Sequence, residues 1–144
     1  MRNFKEIVSF IDPKDTSSVT KSEVKQHKKP YMIGTLVTIK NDIVEETGSN
    51  DIPYGVVIKQ IDRTHSLIAT NGTVFCLCKS SRYKVGDYIR VCDIYGVGSK
   101  YESRHKSFKL SNSIKQIDSF GIVEEAIDLR TVYIGLVKIK LLEK

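Results

Sequence analysis

Hydrophobic and polar positions follow two different rhythms along this chain. From Phe4 to Ile11 the apolar residues fall at Phe4, Ile7, Val8 and Ile11, the spacing of one short helical face. Asp12-Pro13 ends that pattern, because a residue preceding proline is pushed out of the α region. A second short helix is predicted from Thr20, whose hydroxyl and Glu23 three residues later match a capping box, although residues 24–29 offer almost no apolar face.

From Tyr31 onward the period is alternating. Val137, Ile139 and Leu141 interleave with Lys138 and Lys140, which buries one face of a strand and wets the other. The same reading predicts strands over 35–40, 55–61, 66–70, 73–79, 88–93, 121–126 and 132–142. Turn signals separate them at Thr47-Gly48-Ser49-Asn50, Asn71-Gly72, Val85-Gly86-Asp87 and Tyr95-Gly96-Val97-Gly98. Asn71-Gly72 is the strongest hairpin signal, since a two-residue type I′ turn needs positive φ at both positions. It predicts that 66–70 pairs with 73–79, and the polar, basic stretch 99–113 reads as a long loop.

A self-similarity cuts across these elements. Residues 54–62 read Tyr-Gly-Val-Val-Ile-Lys-Gln-Ile-Asp, and residues 120–128 read Phe-Gly-Ile-Val-Glu-Glu-Ala-Ile-Asp. Arg63-Thr64 follows the first and Arg130-Thr131 the second, each leading into another alternating stretch. Each copy is predicted to be a strand begun at a glycine, a turn at the aspartate and a returning strand, 67–79 or 132–142. The expected fold is therefore all-β: a small pseudo-symmetric barrel or sandwich over residues 31–144, with an extended or short-helical docking arm over residues 1–30. Val57, Ile61, Val123 and Ile127 are expected to face a common interior.

Composition sharpens this picture. At 144 residues, with 40% hydrophobic and 28% charged, one domain with one core is the default. No apolar run approaches the ~18 to 20 residues of a spanning helix, and MRNFKEIVSF lacks the apolar stretch of a secretory signal, so no membrane association is expected. Cys76, Cys78 and Cys92 are odd in number and read as reduced thiols of a protein made in a cytoplasm. The net charge of +6 is uneven: residues 1–30 carry seven Lys/Arg against four Asp/Glu, and residues 79–109 eight against three. Both segments favour an anionic partner.

Candidate chemistry is sparse. Cys76 and Cys78 share a strand face without a zinc-knuckle spacing, and His27, His65 and His105 are scattered, so buried thiols and surface histidines are expected, with no metal and no cofactor. Glu124 and Glu125 would point to opposite faces of a strand, and Glu45-Glu46 reads as solvated loop. No nucleophile–base motif occurs, and the chain is read as a non-enzyme. Between Lys79 and Lys109, Tyr83, Tyr88, Tyr95, Tyr101 and Phe108 interleave with basic residues. Such a pattern suits single-stranded nucleic acid by stacking and phosphate contact, with Arg82, Lys84, Arg104 and Lys106 as the anionic-partner patch. The competing reading has the rings in the core and the charges in water.

The runs Gly55-Val56-Val57, Asn71-Gly72-Thr73-Val74-Phe75, Lys84-Val85-Gly86-Asp87-Tyr88-Ile89, Phe120-Gly121-Ile122-Val123-Glu124 and Val137-Lys138-Ile139-Lys140-Leu141 come in a telling order. Over about residues 33 to 142 this order resembles the small β-barrel capsid decoration, or head auxiliary, proteins of tailed bacteriophages. The resemblance implies a virion protein present in many copies or as a homo-oligomer, docked on the major capsid protein or another virion protein, with no catalytic residues. The basic arm departs from that pattern. Phe4, Ile7, Val8, Phe10 and Ile11, with Lys25, Lys28 and Lys29, are the expected partner-binding residues. The alternatives are a nucleic-acid-binding barrel of OB or SH3 type and an adaptor subunit of a tail, baseplate or collar.

Overall fold

The computed structural model describes residues 19–101 and 119–142. Within them the chain forms β1 (Val19–Gln26), β2 (Leu36–Lys40), β3 (Ile43–Glu46), β4 (Gly55–Gln60), β5 (His65–Lys79), β6 (Arg82–Tyr83), β7 (Tyr88–Val91), β8 (Gly98–Lys100), β9 (Gly121–Val123), β10 (Ile127–Asp128) and β11 (Ile134–Leu141). The fold is all-β, and no helix is present among the described residues.

Five strands close into a barrel. From β5 the ring passes antiparallel to β11, β9, β7 and β8 in turn, then returns from β8 to β5 through a parallel step between Gly98 and Cys78. The remaining strands retrace the same circuit on the first half of the chain. β1 pairs with β5, β5 with β4, β4 with β2 and β2 with β3, all antiparallel, and a single parallel bridge between His27 and Val44 joins β3 back to β1. The two halves share β5. Its first part is the last strand of the first circuit, and its second part is the opening strand of the second.

The correspondence extends to individual residues. Ile39↔Val44 in the β2–β3 ladder matches Val91↔Gly98 in the β7–β8 ladder. Gln26↔His65 and Lys25↔Ser66 match Leu77↔Leu136 and Cys76↔Val137. Loop hydrogen bonds repeat as well. Gly34 N–H donates to the Val57 carbonyl (2.8 Å) as Gly86 N–H does to Val123 (2.9 Å). Tyr54 N–H donates to Val37 O (2.8 Å) as Phe120 N–H does to Ile89 O (2.9 Å). Thr47 N–H meets Leu36 O (3.0 Å) where Tyr101 N–H meets Tyr88 O (2.8 Å). The nine-residue similarity is thus the visible part of a duplication that runs through both halves.

The cores are duplicated too. Tyr31, Val37, Val57 and Ile68 lie together inside the first circuit, and their counterparts Tyr83, Ile89, Val123 and Ile139 lie in the core of the second. Leu36, Val56 and Ala69, on the other face of the first circuit, join that second core and hold the halves together. Leu77, Cys92, Val97, Ile134 and Leu136 form a third cluster. Fully burying a side chain of this size contributes about 1.5 to 3 kcal/mol, so these clusters carry most of the stability.

Several expectations are corrected. Residues 19–26 are a strand of the sheet, so the body does not begin at residue 31: Val19, Thr20 and Val24 are β-branched, the inward positions recur with period two, and β5 supplies the ladder. The short helix expected over residues 4–11 lies outside the described residues. Asn71-Gly72 is not a hairpin. β5 runs through it, and the β1–β5 register slips there, from Val19↔Gly72 to Lys21↔Asn71 to Ser22↔Ala69. Gly72 spends its positive φ of 97° on this bulge, while its N–H donates to Asn71 Oδ1 (2.7 Å). The tight two-residue connection is instead Asn41-Asp42, with φ of 54° and 63°, between β2 and β3.

Val57 and Val123 are buried, in different cores, whereas Ile61 lies exposed just past β4 and Ile127 lies exposed on β10, opposite Tyr83 of β6. Glu45-Glu46 belongs to β3, because its backbone completes the β2 ladder. Residues 98–100 form β8, and most of the predicted 99–113 loop lies outside the described residues. Glu124 and Glu125 follow β9 and are both exposed.

Candidate functional site

Because the chain contains two copies of one design, the places where the copies differ mark what each half has specialised for. The sharpest difference lies along β1. Glu23 and Lys25 of β1, with His27 just after it, take the inward positions of the first half that β5 fills with Val74, Cys76 and Cys78 in the second. The strands opposite follow suit: Ser66 stands where the second half has Val137, and Tyr54 where it has Phe120. Five polar side chains replace five apolar ones.

These groups satisfy one another. The Tyr54 hydroxyl donates to the Glu23 carboxylate, and Lys25 Nζ lies 3.7 Å from Glu23 Oε2 and 5.9 Å from the centre of the Tyr54 ring. The Tyr54 bond, with help from Lys25 and Lys21, holds the Glu23 carboxyl below its ordinary range. Burial, reinforced by the carboxylate, pushes the Tyr54 phenol up to about 12. Buried His27 has Nε2 2.7 Å from the Arg63 carbonyl and Nδ1 2.8 Å from Ser66 Oγ. A carbonyl only accepts, so Nε2 carries a proton; in the neutral ring the Ser66 hydroxyl then donates to Nδ1. His27 is therefore not the surface histidine expected. Its sequence neighbours Lys25, Gln26, Lys28 and Lys29 are polar and gave no sign of burial, and its contact with Ser66 joins distant positions.

The Arg63 carbonyl is presented by a turn built on Asp62, whose Oδ1 accepts from Thr64 N–H (2.8 Å), Thr64 Oγ1 (3.0 Å) and His65 N–H (2.8 Å). Those bonds bring its carboxyl down to about 2. The repeat partner Asp128 is likewise at about 2, held chiefly by the Arg130 side chain at 2.7 Å. The expected turn is present at Asp62, whereas Asp128 is itself in β10 and the turn follows it, closed by Val132 N–H on the Leu129 carbonyl (3.2 Å).

Between the halves lies a cleft of about 390 Å³ lined by Lys21, Leu36, Tyr54, Asn71, Phe120 and Leu141 among others. A second, of about 320 Å³, shares Pro53 and Phe120 with it and adds Asp51, Arg90 and Ser119. Ser119 is buried, and its hydroxyl has no hydrogen-bond partner among the described residues. Asp51 accepts from Gly48 N–H (2.8 Å) and lies 3.3 Å from Lys40 Nζ, so its carboxyl is also lowered, the backbone bond first.

The expected partner-binding residues scatter. Lys25 lies in the polar row, whereas Lys28 and Lys29 sit on another cleft of about 320 Å³ with Tyr31, Lys40 and Tyr95. There Lys28 Nζ is 2.9 Å from Glu45 and Lys29 Nζ 3.8 Å from Glu46. Phe4, Ile7, Val8, Phe10, Ile11, Arg104 and Lys106 lie outside the described residues. Arg82 and Lys84 are exposed, Arg82 in β6 opposite Asp128 of β10. Lys100 joins them, 3.3 Å from the Arg82 carbonyl and 3.7 Å from Asp87, and Arg90 lies 5.2 Å from the centre of the Tyr101 ring. Of the interleaved aromatics Tyr83 is in the core, Tyr95 is exposed, Tyr88 and Tyr101 are half-buried, and Phe108 is outside the described residues.

Cys76, Cys78 and Cys92 are free and buried, as expected, and burial pushes the Cys78 thiol well up. Among the described residues no group of three or more His, Cys, Asp or Glu is arranged to hold a metal ion. No family model, curated protein or solved structure matches this chain.

Proposed function

We propose that this chain is a non-enzymatic structural protein of a virion, which decorates or stabilises a phage capsid by docking its barrel and N-terminal segment on the major shell protein. One observation carries the reading: carboxylates at the clefts and elsewhere on the body are engaged in tying strands and turns together. Glu23 is held by Tyr54, Asp51 by Gly48 and Lys40, and Asp87 by the Lys84 N–H and Lys100. A body braced in this way around a shared central strand suits repeated docking. Large side chains at its turns, Ile52 (76% exposed), Val85 (68%), Tyr95 (65%) and Tyr133 (71%), offer apolar anchors for such contacts.

The test is co-sedimentation with assembled particles. The truncation to use removes residues 1–18, because removing residues 1–30 would also delete β1 and the buried His27. Loss of particle binding by a chain that remains folded supports docking through the N-terminal segment. Undiminished binding places attachment on the barrel, and no association of either chain with particles rejects the reading. Copy number per particle separates a shell protein from a tail, baseplate or collar adaptor.

The stacking of Arg90 on Tyr101, beside Arg82 and Lys100, favours a second reading as a nucleic-acid-binding barrel. It requires single-strand binding that falls steeply with salt and is lost on replacing Arg82, Lys84 and Arg90.

A further inference from the structure

The two opening strands are held in place by different means. The second part of β5 is gripped on both faces, by Val74, Cys76 and Cys78 in one core and by Leu77 with Phe75 in another. Among the described residues β1 has no such grip. Glu23, Lys25 and His27 are its inward residues, Val24 on the other face is 54% exposed, and Val19 at its start is its one apolar side chain packed on a core. What holds β1 is its backbone ladder to β5 and the polar partners Tyr54, Ser66 and the Arg63 carbonyl.

A ladder with little apolar burial on either face opens at a lower free energy than the core it covers. Opening β1 frees an edge of β5 along residues 65–72 and uncovers Tyr31, Val37, Val57 and Ile68, a slot shaped to take a strand. The slot is selective. A strand that fills it must bring a carboxylate to the Tyr54 hydroxyl and, four residues further on, an imidazole to Ser66 and the Arg63 carbonyl. β1 carries that pair as Glu23 and His27. The connection that follows contains the exposed Lys28, Lys29 and Pro30, and proline limits how freely such a hinge folds back on its own barrel.

We propose that β1 exchanges between copies, so that the first barrel of one chain is completed by the β1 of a second. The proposal deepens the assembly reading, yet it is tested in the isolated protein with no particle present, so either can fail without the other. Val24 of β1 stands directly opposite Leu67 of β5, on the face away from the polar row. Opposed residues of an antiparallel pair lie about 4.5 to 5.5 Å apart at Cα, within disulfide range. Chains carrying Val24→Cys are mixed with chains carrying Leu67→Cys, incubated and then oxidised. Exchange yields dimers linked between positions 24 and 67, identified by peptide mapping and increasing with concentration and incubation time. A mixture yielding no such link overturns the proposal. Hydrogen exchange on the wild-type chain provides a check free of substitutions: β1 amides are expected to exchange at least about tenfold faster than those of β11. Equal protection of the two strands overturns it as well.

Discussion

Gly34 and Gly86 are counterparts that face opposite surroundings. Both have positive φ, 95° and 92°, and both donate their N–H to the valine that ends the glycine-led run of their own half. A Cβ on Gly34 would lie 2.7 Å from Leu136 Cδ2 and 3.2 Å from Leu77 Cγ, whereas one on Gly86 would meet nothing within 4 Å. Gly34 is thus the point at which the connection from β1 to β2 presses on the outer layer of the second barrel.

Alanine at Gly86 is expected to cost about 1 to 2 kcal/mol, the conformational term alone. Alanine at Gly34 is expected to cost about 1 to 3 kcal/mol more, because two packed leucines must also move. Urea unfolding of both variants measures the difference, and equal losses would show that the contact with Leu77 and Leu136 is slack.

The His27–Ser66 pair is expected to behave as one unit. Ser66→Val, the residue used by the second half, leaves buried Nδ1 without its partner at a cost of about 1 to 3 kcal/mol. In a His27→Cys background the same change is expected to cost much less, since no acceptor is left stranded. A double-mutant cycle from denaturant unfolding reads the coupling; purely additive losses would contradict it.

All three thiols are expected to resist alkylation in the folded protein. Cys76 and Cys78 are fully enclosed, out of reach of a reagent, Cys92 is 3% exposed, and at Cys78 and Cys92 burial disfavours the thiolate that reacts. Labelling should become complete only in denaturant. Rapid modification of one thiol without denaturant would reveal an opening at that strand.

Acid should weaken the turn that supports His27. The folded Asp62 carboxyl is at about 2, against an ordinary value of 3.8. A depressed value means that ionised Asp62 favours the folded state. Its contribution is full above about pH 4 and is lost as the pH falls towards 2. Asp62→Asn is therefore expected to flatten the pH dependence of the urea midpoint in that window, whereas a slope like that of the wild type would place the acid sensitivity elsewhere.

Local pattern was sufficient to locate β2, β4, β7, β9 and β11: short apolar, β-branched runs mark them although β2, β4 and β11 bury residues on both faces. The repeated Tyr-Gly-Val-Val and Phe-Gly-Ile-Val runs announced the duplication for the same reason: the packing constraint at a glycine-led strand recurs in the residues themselves. Local pattern misread residues 19–27, where a polar inward row imitates a frayed terminus and a Thr-x-x-Glu spacing imitates a helix cap. It also misread Asn71-Gly72, whose chemistry permits a turn or a bulge equally well. Only the neighbours choose between them: with β1 and β11 each paired to part of β5, the chain gains more by running on than by folding back. The sequence determined β2, β4, β7, β9 and β11 and that the pattern occurs twice. Tertiary structure alone decided that the copies share a strand, that Glu23 meets Tyr54, and that His27 is buried against Ser66, because those contacts depend on hydrogen-bonded neighbours far away in the chain.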